Sequence, residues 1–166
     1  MATNMNVSVN YGTHLPALIK VLSLTSGDVL ELGTGVFSTP YLHYACFLSK
    51  RHLVSYDNSG EWNKWVDYYR SPDHEIIFVD DWDKADIEKP WDVVLVDHSP
   101  SERRIVDIRR LANLAKYIVV HDTTKTYYHT YGYWQIYPLF KYRKVWKFDH
   151  RRTDVLSNLV DLENLW

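Results

Sequence analysis

The chain of 166 residues has one cysteine, no long apolar run and no large excess of charge of either sign. Because Cys46 has no second cysteine to pair with, an internal disulfide is excluded, and a reducing, cytoplasmic setting is expected. No segment approaches the roughly 20 apolar residues of a transmembrane helix, so no membrane partner is predicted. The formal net charge of −2 argues against a general polyanion-binding surface, which predicts no nucleic-acid partner.

The N-terminal residues 1–10 are polar and lack both a basic region and an apolar core, so no secretory leader is expected. With 46% hydrophobic and 24% charged residues, the composition is that of an ordinary globular protein. The chain contains no internal repeat, low-complexity tract or linker. Its length therefore predicts one domain that spans residues 1–166.

A glycine turn follows the first apolar run. This run ends at Gly33-Thr34-Gly35, and Ser38 and Thr39 come next as favourable residues for the first turn of a helix. A strand, a glycine turn and a helix together present free backbone N–H groups to a nucleotide-like ligand. Glu31 lies inside the apolar run, where a carboxylate requires hydrogen-bond partners. Ser38 replaces the third glycine of the dinucleotide fingerprint, which argues against a pyrophosphate cradle.

Apolar runs and helical patterns alternate along the rest of the chain. Helices are predicted over residues 14–24, 38–50, 61–70 and 101–115, and strands over 28–33, 53–57, 76–80, 91–97, 117–121, 143–148 and 153–162. The last two strands are joined by a polar corner at 149–152, which predicts a terminal hairpin. The expected fold is α/β: a three-layer sandwich around a mainly parallel seven-stranded sheet with an antiparallel terminal hairpin strand.

Several predicted strands end in acidic residues: Asp57, Asp80 with Asp81, Asp97 and Asp122. The carboxyl ends of parallel strands meet at one edge of a sheet, where ligands bind. Asp57 lies 22 residues beyond Gly35, the usual spacing for a carboxylate that accepts both ribose hydroxyls. A turn residue before Asn58-Ser59-Gly60 is the alternative for Asp57.

The glycine turn resembles motif I of the class I S-adenosylmethionine-dependent methyltransferases, an acidic residue followed by Gly-x-Gly. The chain matches this motif at Glu31, Gly33 and Gly35, whereas Phe37 stands where many members carry a third glycine. The resemblance implies a Rossmann-like fold, S-adenosylmethionine as the cofactor and S-adenosylhomocysteine as the product. It also implies that the turn and the start of the next helix contact the cofactor, through Thr34, Ser38 and Thr39.

The resemblance assigns further cofactor contacts to the strand ends. The acid that ends the second strand binds ribose in this family, and Asp57 matches it. The end of the third strand contacts adenine, which implies either Asp80 or Asp81, with Trp82 as a stacking face. Asp97 would lie near the methionine end of the cofactor.

A second candidate contact lies before the first predicted helix, at Thr13 and His14. A helix N-terminus with a hydroxyl cap can hold the methionine carboxylate. Simple capping of the helix explains the same two residues.

Methyl transfer from a sulfonium is an in-line displacement, in which the protein positions the nucleophile and can remove its proton. His98 follows Asp97 and His121 precedes Asp122, so these four residues are the catalytic candidates. Either histidine could act as a general base near neutral pH. Because neighbouring residues of a strand point to opposite faces, one of the two is expected to be structural.

Asp97-His98 and Asp122-Thr123 also resemble the magnesium site of catechol-type O-methyltransferases. In this chain Pro100 replaces the catalytic lysine of that family, and Thr123 replaces its asparagine. Two oxygen ligands are few for a magnesium ion that takes six. No residue is therefore assigned as a metal ligand, although magnesium remains open.

The aromatic segment 123–138 follows the fifth strand and carries five tyrosines and one tryptophan. These side chains could recognise a planar or sugar-like substrate, or they could pack the last helix on the sheet.

The predicted function is transfer of a methyl group from S-adenosylmethionine to a small-molecule acceptor, at oxygen, with a homo-oligomer left open. The main alternative is a cofactor-binding or interaction module that has this fold with little or no catalysis. An aminopropyl transferase is a further alternative, and a nicotinamide dehydrogenase is the weakest.

Overall fold

One seven-stranded sheet forms the centre of the protein, with strand order β3-β2-β1-β4-β5-β7-β6. The computed structural model describes residues 7–166, so the leader prediction for 1–10 falls partly outside the described residues. The strands are β1 Val29–Leu32, β2 Leu53–Asp57, β3 His74–Phe78, β4 Trp91–Val96, β5 Ala115–Val120, β6 Tyr142–Phe148 and β7 Arg151–Ser157. The helices are α1 Leu15–Ser23, α2 Ser38–Ser49, α3 Gly60–Val66, α4 Arg104–Leu111 and α5 Lys125–Thr130.

The predicted fold class is confirmed. Strands β1 to β5 pair in parallel, whereas β7 is antiparallel to both β5 and β6. In chain order, the strands begin with β1 in the middle of the sheet and continue outward to β3. The next strand, β4, lies on the other side of β1. This reversal places the carboxyl ends of β1 and β4 side by side, and ligands of such sheets bind at that position.

Alternate residues of the central strands enter two separate cores. Leu30 and Leu32 of β1 belong to one core, which α4 and the segment after α5 cover. Val29 belongs to the other core, which α1 and α2 cover. Both faces of the parallel strands are therefore buried, which explains their nearly continuous apolar sequence. No helix within residues 7–166 combines the length and apolar character that a bilayer-spanning segment requires.

Several predicted boundaries are wrong. Strand β3 begins two residues earlier than predicted, because a Ser71–His74 bridge closes the preceding turn and His74 pairs with Leu53. The helix predicted over 101–115 is α-helical only over Arg104–Leu111, after a 3₁₀ turn. Strand β7 ends at Ser157, whose hydroxyl accepts hydrogen bonds from the backbone of the next turn. The sequence pattern also missed α5 as a separate element.

Candidate active site

The turn after β1 is pressed against the end of β4. Gly33 adopts a φ of +90°, and its N–H donates to the Tyr56 carbonyl at 2.9 Å. A Cβ added at Gly33 would lie 2.5 Å from the backbone nitrogen of His98. Only glycine satisfies both the backbone conformation and this close approach. The turn and the residues after β4 therefore form one continuous surface.

Replacing Gly33 with alanine is expected to destabilise the fold by about 3 kcal/mol or more, because backbone must move and a positive φ is forced on a side chain. Gly60 is the matched control, since nothing lies within 4 Å of an added Cβ there. Gly60→Ala should change the free energy of unfolding by less than about 1 kcal/mol. Urea denaturation of both variants measures the difference, and equal losses would contradict the close approach.

Glu31 is fully buried beneath the glycine turn. Its carboxylate accepts hydrogen bonds from the Thr39 hydroxyl at 3.0 Å and from the Ser55 hydroxyl at 2.6 Å. The Thr39 hydroxyl also accepts from the backbone N–H of Gly35. Burial raises the pKa of Glu31 to about 7 despite these hydrogen bonds. Glu31 therefore ties the turn to α2 and β2 from below, and sequence reasoning missed Ser55 in this network.

The pKa of Glu31 is about 7 in the folded chain and 4.5 in a free side chain. Between these two pH values Glu31 is therefore protonated in the folded chain and ionised in the unfolded chain. The free energy of unfolding should therefore fall as pH rises through this window, by up to about 3 kcal/mol from this group. Glu31→Gln removes the effect. Denaturation at about pH 5 and about pH 7.5 should show the variant gaining stability relative to the unmodified chain. A constant difference between the two would contradict the shifted pKa.

Two buried histidines change the free energy of unfolding in the opposite direction over part of the same pH range. Burial lowers the pKa of His14 and of His74 to about 4, so the stability that they confer is lost as pH falls towards that value. His14 is present in both proteins, so its contribution cancels in the difference. His74 shares the Ser55 hydroxyl with Glu31, so the difference between variant and unmodified chain reports Glu31 together with its coupling to His74.

Asp57 ends β2 beside the glycine turn and is buried. One carboxylate oxygen accepts from the backbone N–H and the hydroxyl of Thr34, both at 2.7 Å, and the other accepts from the Ser59 N–H at 2.7 Å. These contacts fix the carboxylate at the edge of the turn. Since a carboxylate accepts about four hydrogen bonds, a position remains for a further donor, and the Thr34 hydroxyl can rotate to free another.

Asp97, the first residue after β4, forms the centre of a second polar cluster. One of its oxygens lies 2.9 Å from Nδ1 of His121, and the other lies 2.9 Å from the Arg104 guanidinium. Arg104 is buried and also donates to the backbone carbonyls of Asp97 and His98. Burial alone would raise the pKa of Asp97, but His121 and Arg104 outweigh it and hold the value at about 2. Burial would lower the pKa of His121, and Asp97 reverses this to a net rise.

The segment before α1 joins this cluster. The Thr13 hydroxyl donates to the Asn10 carbonyl at 3.2 Å and lies 3.0 Å from Nε2 of His121. The predicted cap is wrong, because His14 holds the N-cap position and makes no capping hydrogen bond. The His14 ring instead lies edge-on to His121, with centroids 4.6 Å apart. Both Thr13 and His14 thus reach the end of β5, and among the described residues neither side chain is hydrogen-bonded to the glycine turn. Their role in binding the cofactor stays a prediction.

His98 does not fit its predicted role as a base. Its Nε2 lies 3.0 Å from Asp107, with both side chains fully buried. Trp82 covers the His98 ring at 4.2 Å between centroids and donates to the Ser99 carbonyl. His98 and Asp97 point in opposite directions from the strand end, as neighbouring strand residues do. Trp82 is buried in the same packing, so its predicted stacking on adenine is not supported either.

The acidic pair after β3 lies on an exposed turn. Asp80 forms an ion pair with Lys84, and Asp81 caps the following 3₁₀ turn by accepting from the Asp83 N–H. The early end of β3 places both residues beyond the strand, and neither is joined to the glycine turn by a hydrogen bond. Asp122 follows His121 with a φ of 55° and lies 3.4 Å from Arg151.

Some side chains of the aromatic segment pack in the core, and others face an open recess. Tyr133 is fully buried and donates its hydroxyl to the His121 carbonyl, so packing explains it. Tyr127 stacks on Tyr131 at 4.6 Å and also faces a recess of about 390 Å³. Polar residues complete the lining: Asn10, Thr124, Thr126, Asp149, His150 and Arg151. The recess borders the Asp97 cluster through Asn10, which bonds Thr13, and Arg151, which lies near Asp122.

The comparisons with known proteins identify the fold. No protein-family model and no curated protein matches the chain. A human methyltransferase 10 domain containing protein superposes with a TM-score of 0.65 at 12% identity, over 95% of this chain and 85% of that one. The N-terminal domain of human METTL16 in complex with SAH gives 0.61 at 11% identity, over 90% and 71%. The chain thus has the fold of the class I S-adenosylmethionine-dependent methyltransferases, as the resemblance of its glycine turn implies.

The prediction that the chain has no nucleic-acid partner, which was based on its net charge, is wrong. The hMettl16 catalytic domain in complex with MAT2A 3'UTR hairpin 1 superposes with a TM-score of 0.61 at 10% identity, over 95% of this chain and 75% of that one. Total charge is a poor guide, because the local surface decides binding. In this chain basic residues are concentrated on the β6–β7 hairpin, at Arg143, Lys144, Lys147, Arg151 and Arg152.

Proposed function

We propose that the chain is an S-adenosylmethionine-dependent methyltransferase that transfers the methyl group to a hydroxyl oxygen. The observation that carries this proposal is the contact between Gly33 and the backbone of His98. In this proposal the turn binds the adenosyl group beside a polar cluster that can activate an acceptor. The SAH held by the METTL16 domain, which has the same fold, supports the choice of cofactor.

The turn Gly33-Thr34-Gly35 and Asp57 form the adenosyl half of the proposed site. The turn brings backbone N–H groups to the carboxyl edge of the sheet, next to the first turn of α2. Asp57, held by Thr34 and Ser59, accepts the ribose hydroxyls in this proposal. Glu31 does not touch the ligand in this account. It shapes the turn from beneath, through Thr39 and Ser55.

The Asp97 cluster and the adjoining recess form the acceptor half. A neutral amine needs only to be aimed at the methyl group, whereas a hydroxyl must also lose its proton. Asp97 and His121, joined at 2.9 Å, form a pair of groups suited to that task. This pair favours oxygen over nitrogen as the acceptor atom. Asp97 is the partly exposed member of the pair and His121 is buried, so in this proposal an acceptor reaches Asp97 before His121.

Isothermal titration of the chain with S-adenosylmethionine tests the cofactor. Binding should also raise the stability by about 2.7 kcal/mol when the ligand is at 100 times its dissociation constant. Release of S-adenosylhomocysteine in the presence of phenols, sugars or short RNA hairpins then tests transfer and identifies the acceptor class. Absence of cofactor binding would overturn the proposal. Methylation of amines alone would overturn the choice of oxygen.

A further inference from the structure

We infer that His14, Asp97 and His121 bind one divalent transition-metal ion, and that this ion is what activates the acceptor hydroxyl. The role in activation rests on the proposed function. Metal binding itself rests only on the geometry of the three side chains, which come from the segment before α1, the end of β4 and the end of β5.

Each of the three residues offers one ligand atom, and these atoms all lie within 4.8 Å of one another. Around an ion with bonds of about 2.0–2.2 Å, ligand atoms at right angles stand about 3 Å apart and opposite ones about 4 Å apart. Nδ1 of His121 and the Asp97 oxygen already stand 2.9 Å apart. A small rotation of the His14 ring therefore completes a three-ligand site.

His14 supplies an independent reason for an ion. The residue is 1% exposed, and among residues 7–166 neither of its ring nitrogens has a hydrogen-bond partner. A buried polar group without a partner is unfavourable, and most such groups in folded proteins are paired. A neutral imidazole nitrogen is the form that binds metals. An ion between His14 and Asp97 would provide the partner that the protein itself does not.

The surrounding hydrogen bonds leave the right atoms for the metal. Arg104 holds one Asp97 oxygen and leaves the other facing His121. The Thr13 hydroxyl donates to Asn10, so it can accept from Nε2–H of His121 and leaves Nδ1 as the ligand. Outer contacts of this kind orient metal ligands in proteins. In the absence of metal a proton lies between Nδ1 and Asp97, and the ion replaces that proton.

The charges around the site are balanced. The Arg104 guanidinium opposes a cation, whereas the carboxylates of Asp97 and Asp122 favour it, the latter 3.8 Å from Nε2 of His121. Two imidazoles and one carboxylate suit zinc, manganese or iron(II), whereas magnesium prefers oxygen ligands. Three protein ligands leave positions for an acceptor hydroxyl, whose pKa the ion would lower.

Metal analysis of chelator-treated protein, free of any polyhistidine tag and reloaded with zinc, tests the site. We expect one ion per chain, and His14→Ala should weaken zinc binding at least tenfold because it removes one of three ligands. Within residues 7–166 the His14 ring makes no hydrogen bond, so this variant should remain folded, as circular dichroism can verify. His150→Ala, at a side chain that is 94% exposed, is the control for adventitious binding and should bind as the unmodified chain does.

Cobalt(II) gives a second readout that does not depend on activity. Its visible spectrum should report mixed nitrogen and oxygen ligation, and the His14→Ala variant should lose that spectrum. Asp97→Asn should weaken cobalt binding as well, which guards against a single misfolded variant. Equal metal content in the His14→Ala and His150→Ala proteins would overturn the site.

Titration with S-adenosylmethionine in the presence of chelator separates this inference from the proposed function. Cofactor binding without any specific zinc binding would overturn the metal site and leave the methyltransferase proposal intact. Specific zinc binding that depends on His14, in a chain that binds no S-adenosylmethionine, would support the metal site and overturn the proposed function.

Discussion

Asp97→Asn is expected to lower methyl transfer at least about 100-fold, the usual contribution of a group that activates the nucleophile, whether Asp97 takes up the proton itself or holds the inferred metal ion. The amide cannot balance the charge of buried Arg104 or hold His121 in the same state. Cofactor affinity should change less than turnover, because the ribose and the turn are held elsewhere. Steady-state kinetics, with the dissociation constant measured separately, distinguishes the two effects.

The same variant should also lose about 2 kcal/mol of stability. Removing one partner of a buried ion pair costs about 3–5 kcal/mol, and the value is smaller here because the Asp97 side chain is 25% exposed. Asp83→Asn is the matched control, since Asp83 pairs with Arg103 at the surface and its side chain is 75% exposed. The control should leave stability and turnover nearly unchanged. Full turnover in Asp97→Asn would remove this cluster from the mechanism.

Asp57→Ala is expected to weaken S-adenosylmethionine binding about 100-fold. The physical reason is the loss of hydrogen bonds from the ribose hydroxyls to a charged acceptor, each worth about 1.5–3 kcal/mol. The variant also frees the Thr34 N–H that orients the turn. Titration calorimetry gives the ratio of dissociation constants directly.

Asp67→Ala serves as the control for that titration. Asp67 lies on the surface, and within residues 7–166 its side chain pairs only with Arg70, three residues away, so its removal should leave cofactor binding unchanged. A dissociation constant for Asp57→Ala within about twofold of the unmodified chain would show that the ribose is not bound at this carboxylate.

The sequence could predict the sheet, the glycine turn and the position of Asp57 because each depends on local order. An apolar run followed by glycine ends a strand, and the spacing of a βαβ unit fixes where the next strand ends. Asp57 accordingly lies beside Thr34, as its spacing predicts. The alternation of side chains along a strand predicted a structural role for one of His98 and His121, and in the structure His121 contacts Asp97 whereas His98 contacts Asp107.

The remaining features depend on contacts between distant segments, which the sequence does not reveal. Ser55 meets Glu31 only through the register of β1 and β2, and His14 meets His121 across 107 residues of chain. Asp107, the partner of His98, lies on α4, nine residues further along the chain. Each of these contacts changes the chemical role of a residue that local pattern had already singled out.

A crystal structure with bound S-adenosylhomocysteine is the most direct test of the central claim, that the turn after β1 receives the adenosyl group. We predict the ribose hydroxyls within hydrogen-bond distance of Asp57, with the homocysteine portion running past Gly33 towards Asp97. An adenosyl group bound away from this turn, with Asp57 still held only by Thr34 and Ser59, would contradict it.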